Sequence, residues 1–243
     1  MDRRVLPGLF GLLALWFAAC VPTLIYGSGR VVTEQRTVHN FNGVTLSGSG
    51  ELTILQGDDE ALTIEAEDNI MPHISSDVRN GVLLLGFVHK AWFQVLEPTQ
   101  SIKFTLTVKE LTHLTLSGSG SVTAAQLTTD QLAAAISGAG DVAINQLRAN
   151  HLTAAISGSG SANLAGKVVD QTVDISGNGQ YQADNLESQT AKVTISGAGE
   201  MTLWVQKQLD ADISGSGAVR YYGDPQTNTH SAGSGSFKRL GNK

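Results

Sequence analysis

The chain has a single cysteine, Cys20, among 243 residues, so no disulfide can close within it and cysteine usage says little about redox compartment. Charge is also scarce. Asp, Glu, Lys and Arg make up 16% against 41% hydrophobic residues, too apolar for a disordered chain and low in charge for a globular one. With a formal net charge of −6 and no basic cluster, nothing is available to neutralise a phosphate backbone, so nucleic acid is not an expected partner. The 27 glycines follow no G-X-Y period, which excludes collagen. No G-x-S-x-G elbow and no P-loop occurs. The histidines (His39, His73, His89, His113, His151 and His230) form no H-x-x-x-H or H-E-x-x-H pair, and one cysteine cannot build a zinc site. No metal and no cofactor is expected.

The long apolar run lies at the N-terminus. Met1–Arg4 ("MDRR") is basic and Val5–Cys20 ("VLPGLFGLLALWFAAC") is an apolar h-region, which reads as an export signal. Three outcomes fit. Ala18 and Ala19 before Cys20 resemble the lipobox of bacterial lipoproteins, in which Cys20 is lipidated. Val5–Tyr26 is long enough for an uncleaved anchor with Arg3 and Arg4 on the cytoplasmic side. An ordinary cleaved signal is the third. All three place the chain from about residue 27 onward outside the cytoplasm.

What the chain has in abundance is one phrase, S-G-x-G, at Ser47, Ser117, Ser137, Ser157, Ser176, Ser196 and Ser214. From Ser117 the steps are 20, 20, 19, 20 and 18 residues, and a degenerate copy follows at Ser231–Ser236. Apolar residues stand one and three positions before each origin (Ile156 and Ala154, for example) and five and seven after it (Val142 and Ile144 for the origin at Ser137). Spacing of two marks strands with one buried face. Leu127, Leu147 and Leu186 add a third apolar mark ten after the origin. Short strands repeating every 20 residues, with no room for an amphipathic helix, predict an all-β parallel β-solenoid (β-helix) whose coils stack about 4.8 Å apart. S-G-x-G is then its corner, because glycine tolerates φ > 0 and small side chains stack under their copies.

Three regions are expected: residues 1–26 as signal or anchor, 27–110 as an irregular N-terminal β region, and 111–240 as regular repeats. In the irregular region Asn80–Gly81 predicts a two-residue hairpin turn, and the region is expected to cap an open strand edge. His89–Pro98 reads as an excursion loop, whose Trp92 and Phe93 are candidate ligand contacts.

The opening block "GSGRVVTEQRTVHNFNGVTLSGSGELTILQGDDEALTIEAEDNI", with Glu34, Arg36, Val38, Phe41, Val44, Gly57, Leu62, Ile64, Glu65, Asp68 and Asn69 in place, and the S-G-x-G ladder resemble the bacterial head GIN domain family of autotransporter adhesins. The resemblance spans Gly27 to Leu240. It implies a right-handed β-helix on the bacterial envelope and an adhesin role, and it maps no catalytic residues here.

Acidic residues offer the one opening for chemistry. Asp174 and Asp212 share the column two before the origin, two coils or about 9.6 Å apart at strand spacing, near the carboxylate separation of inverting glycosidases. Any two outward acids on a stacked ladder show some multiple of that spacing, so the pair is kept as a candidate contact only. The expected function is therefore non-enzymatic: a binding module attached to a membrane through its N-terminus. Its expected partners are surface glycans, cell-wall polymers or envelope proteins. The alternatives are a polysaccharide-active enzyme using Asp174 and Asp212, or an element that self-assembles into homo-oligomers.

Overall fold

The computed structural model describes residues 23–88 and 94–243. Cys20, Trp92 and Phe93 lie outside the described residues. The first half carries strands β1 (Thr23–Tyr26), β2 (Val31–Arg36), β3 (Gly43–Gly48), β4 (Glu51–Gln56), β5 (Ala61–Glu67), β6 (Ile74–Arg79), β7 (Val82–Phe87), β8 (Gln94–Glu97), β9 (Lys103–Val108), β10 (His113–Gly118) and β11 (Ser121–Ala124). The second half carries β12 (Leu127–Thr128), β13 (Gln131–Gly138), β14 (Asp141–Gly158), β15 (Ser161–Gly177), β16 (Gln180–Gly197), β17 (Glu200–Gly215), β18 (Ala218–Tyr222), β19 (Gln226–Gly233) and β20 (Ser236–Gly241). Helix among the described residues is limited to one 3-10 turn, Met71–His73.

The fold is the β-solenoid that the repeat predicts. Corner strands stack parallel and in register from Ser47 through Ser117, Ser137, Ser157, Ser176, Ser196 and Ser214 to Ala232. From 117 the corners fall at 137, 157, 176, 196, 214 and 232, which is six turns. The final corner is therefore A-G-S-G, with Ser231 standing in the isoleucine column.

Inside the ladder the predicted columns are buried: Leu46, Leu116, Ile136, Ile156, Ile175, Ile195 and Ile213 form one continuous row. Each such side chain removed from water contributes roughly 1.5–3 kcal/mol. The column of Val122 and Val142 reaches Tyr181, which is also buried. Its hydroxyl donates to Gln171 Oε1 at 2.9 Å, Gln171 Nε2 donates to Ser188 Oγ at 2.7 Å, and Ser188 Oγ donates to the Trp204 carbonyl at 3.0 Å. Burial pushes the Tyr181 phenol up, so it remains a protonated donor. Buried polar groups are tolerated because this chain of bonds leaves none unpaired.

The two corner glycines serve different needs. Gly158, the first, has φ +118°, and a Cβ there would sit 2.4 Å from the Gly138 carbonyl oxygen of the coil before. Gly160, the second, is needed for clearance alone, since a Cβ would sit 2.5 Å from the Gly140 carbonyl oxygen. Corner bonds run backbone to backbone between coils, as from Ser159 N to the Gly138 carbonyl at 2.9 Å. The corner serine side chains are exposed or half-exposed.

The N-terminal end departs from the ladder. β5 runs antiparallel to β9 and β2 antiparallel to β5, while β6 and β7 form an antiparallel hairpin. That hairpin turns at Asn80 and Gly81 with φ of 51° and 77°, the left-handed pair that a type I′ turn requires. Sequence order and spatial order part company here. β3 lies between β7 and β10, and β4 lies between β9 and β11. An early coil is thus clamped between two later segments. The far end closes differently. Where earlier coils carry Ala211, Ile213 and Tyr221, the last carries Thr229, Ser231 and Arg239. Every residue of β19 is exposed, so the solenoid ends on a polar coil of the kind that terminates repeat arrays.

Candidate binding face

Four residues beyond each corner the chain points a side chain outward. Stacking places Glu51, Ser121, Asp141, Ser161, Gln180 and Glu200 in one file across β4, β11, β14, β15, β16 and β17. Two residues further along each strand, Thr53, Thr123, Ala143, Asn163, Gln182 and Thr202 form a parallel file. Neighbours within a file lie one strand spacing apart, about 4.8 Å. Some are tied to one another. Ser161 Oγ donates to Asp141, and Arg220 Nη1 donates to Glu200 Oε2 at 2.8 Å. The result is a long strip of hydroxyl, amide and carboxylate groups with few apolar atoms at its surface.

The strip passes two clefts. At the capped end, Glu51, Ser121 and Asp141 face Thr99, Gln100 and Ser101 of the loop before β9 across about 460 Å³. Toward the far end, Gln180, Gln182, Glu200 and Arg220 line a second cleft of about 250 Å³, which Asp184 and Tyr222 close on one side. Among the described residues no group of three or more His, Cys, Asp or Glu side chains is placed to hold a metal ion.

Asp174 and Asp212 lie on the other face of the corner. Register puts Thr194 between them, so they are two strands apart as the spacing predicts. Both are exposed, and neither lines either cleft. The file on that face is small and flat: Thr115, Ala135 and Ala155 precede Asp174. Sequence reasoning singled out these acids and passed over Trp204 and Tyr222. These two are register partners on β17 and β18, each eight residues beyond its own corner. That shared offset was the signal available for finding them.

A second constellation fixes the segment that leads in from the N-terminus. β1 pairs in parallel with β8, and Gly27 N continues the ladder to the Glu97 carbonyl at 3.0 Å. Glu67, Asp68 and Asn69 then grip residues 26–30. The Glu67 carboxylate is buried and accepts from Gly29 N at 2.6 Å, Thr99 N at 2.8 Å and Thr99 Oγ1 at 2.6 Å. A Cβ at position 27 would lie 1.9 Å from that carboxylate, so a side chain there would push Glu67 off its donors. Asp68 accepts from Ser28 Oγ and, at 2.9 Å, from Arg30 Nε. Asn69 Nδ2 donates to the Tyr26 carbonyl at 2.7 Å while its Oδ1 accepts from Ser28 N at 2.9 Å. The Thr99 hydroxyl and the backbone amides hold Glu67 below its ordinary carboxylate range; Ser28 and then Arg30 do the same for Asp68.

The family profile described as "Putative auto-transporter adhesin, head GIN domain" matches residues 40–225. The chain belongs to the head GIN domain family. Solved structures of other proteins share its architecture. One, described as "a putative adhesin" from Bacteroides fragilis NCTC 9343, is 26% identical, with a TM-score of 0.82 over 89% of this chain and 100% of that one. Another, described as a "putative lipid binding protein" from Parabacteroides distasonis ATCC 8503, is 24% identical, with a TM-score of 0.76 over 90% of this chain and 100% of that one. A "putative adhesin" from Parabacteroides merdae ATCC 43184 is 21% identical, with a TM-score of 0.72 over 89% and 99% of the two chains. The last two likenesses establish the fold. No curated protein matches the chain.

Proposed function

We propose that this head GIN domain protein is held on the cell envelope by its N-terminal segment and binds an extended polar polymer, a surface glycan or cell-wall polymer, without transforming it. The observation that carries the reading is the outward strip with both clefts on it. A polymer with repeating hydroxyl and amide groups meets equivalent partners at every coil, and the clefts give two places where it can be gripped from more than one side. The adhesin description of the 26%-identical relative from Bacteroides fragilis supports a binding role rather than turnover.

The arm supports envelope display. Leu24 and Val95 are register partners on β1 and β8 and both are exposed, as is Tyr26. Apolar side chains in that position suit the boundary of a bilayer entered by the apolar run at residues 5–20. Lipidation at Cys20 belongs to the same proposal.

The test is retention of a digest of envelope glycans and cell-wall fragments on the full chain in detergent, with mass spectrometry of bound and unbound sugars. Intact glycan on the protein is the expected result. Shortened glycan would overturn the non-enzymatic reading, and no retention would overturn the polymer-binding reading.

A further inference from the structure

Beside the second cleft, Trp204 and Tyr222 stand as neighbours on adjacent strands, and a side chain of the same molecule rests on them. Lys243 Nζ lies 5.7 Å from the Trp204 ring centroid and 5.0 Å from that of Tyr222. Its remaining contacts are polar: the Asp184 carbonyl, the Asp184 Oδ2 at 3.2 Å and the Asn185 Oδ1 at 2.8 Å. The Lys243 side chain is 26% exposed. Two ring faces, a carboxylate and two amide-type oxygens around one nitrogen make a cage for an ammonium ion. Ring quadrupoles attract the cation, and the oxygens take its N–H groups.

The occupant lies outside the strand ladder, two residues beyond Gly241, the last residue of β20. Asp184 and Tyr222, which belong to the cage, also line the 250 Å³ cleft, so a ligand whose ammonium took the place of Lys243 would have room for its remaining atoms beside Gln180, Gln182 and Arg220.

We infer that Trp204, Tyr222, Asp184 and Asn185 form a binding seat for a primary alkylammonium group, and that Lys243 fills it as a displaceable internal ligand. This inference does not depend on the polymer-binding reading. Displacement costs an external ligand the fraction of molecules in which Lys243 is bound, so removing that side chain raises apparent affinity.

The experiment is a titration of the full chain and its Lys243→Ala variant with methylammonium. The Trp204 indole N–H resonance is followed, and methanol serves as the neutral comparison. The expected result is saturable binding to K243A at least about tenfold tighter than to the unaltered chain, little response to the alcohol, and loss of binding in K243A/Y222L, which keeps the Trp204 reporter. Equal affinity in the two chains, or an equal response to cation and alcohol, would overturn the seat and leave Lys243 as a packing contact. Lys243→Met, which keeps an unbranched stem but carries neither charge nor N–H, guards against a change in K243A that is merely conformational: it should bind as K243A does, and failure to do so overturns the inference.

Discussion

The capped end and the ladder are built from similar strands, yet they tolerate change differently. In the ladder each coil copies the one before, so backbone approaches backbone at the same place every time. At the cap, antiparallel strands and a hairpin replace the repeat, and side chains rather than backbone fill the spaces. Gly158 and Gly48 are equivalent corner residues that show the contrast. A Cβ on Gly158 meets the Gly138 carbonyl oxygen at 2.4 Å, whereas a Cβ on Gly48 meets the Phe87 ring at 3.3 Å. Repetition makes the middle of the molecule regular and also unforgiving.

The largest test of that contrast is Gly158→Ala against Gly48→Ala. The first is expected to cost more than about 3 kcal/mol, because left-handed strain and a backbone clash act together; the second is expected to cost about 1–2 kcal/mol from strain alone. Urea unfolding of both variants measures the difference, and equal losses would mean that the coils slide apart freely.

The next test uses acid. Glu67 and Asp68 are held below their ordinary values of 4.5 and 3.8. Their stabilising effect is complete above those values and is lost as pH falls through the lower folded ones. Below pH 4.5, amide protection should therefore fall first at residues 27–30 and 99–100, ahead of the corner strands. Glu67→Gln should bring about the same release at neutral pH, read as about tenfold or greater loss of protection at Gly29 and Thr99 with no change in β14.

A smaller effect is expected at the far end. Thr229→Val with Ser231→Ile restores the apolar columns to the last coil and should make that end adhesive. Sedimentation velocity should then show dimers or larger species for this variant at concentrations where the unaltered chain shows none. The mildest change is Asp141→Asn, which keeps an acceptor for Ser161 and removes a charge from the first cleft. Retention of a polar polymer should fall by about two- to fivefold, as expected for loss of one hydrogen bond of ordinary strength.

Much of the ladder was legible because its rule is short. Apolar residues at offsets −3, −1, +5 and +7 from S-G-x-G gave the buried columns, and Asn80–Gly81 gave the hairpin. The cap was legible only in outline. Nothing local in β3 or β4 says that β7 and β9, written later, will lie on one side of them. Glu67 reads as a surface acid in "EAEDN"; its burial depends on Gly29, Thr99 and Gln100, which are distant in sequence. The ammonium cage was hidden for the same reason, since Asp184, Trp204 and Lys243 lie on three different coils or tails.

The clamped early coil has a consequence in time. β4 ends at Gln56 and its neighbour β11 ends at Ala124, 68 residues later (124 − 56). At ~5–20 residues per second a ribosome needs roughly 3–14 s to supply that stretch. β7 reaches β3 after 39 residues (87 − 48) and β9 reaches β4 after 52 (108 − 56), but the edges that face β10 and β11 stay open for the whole interval. Two open strand edges wait in the growing chain, each able to pair with a foreign strand. Assembly cannot run as a zipper from the first residue, because β3 and β4 are enclosed only once β10 and β11 exist. A holding chaperone during synthesis or transport has its clearest purpose over residues 43–56.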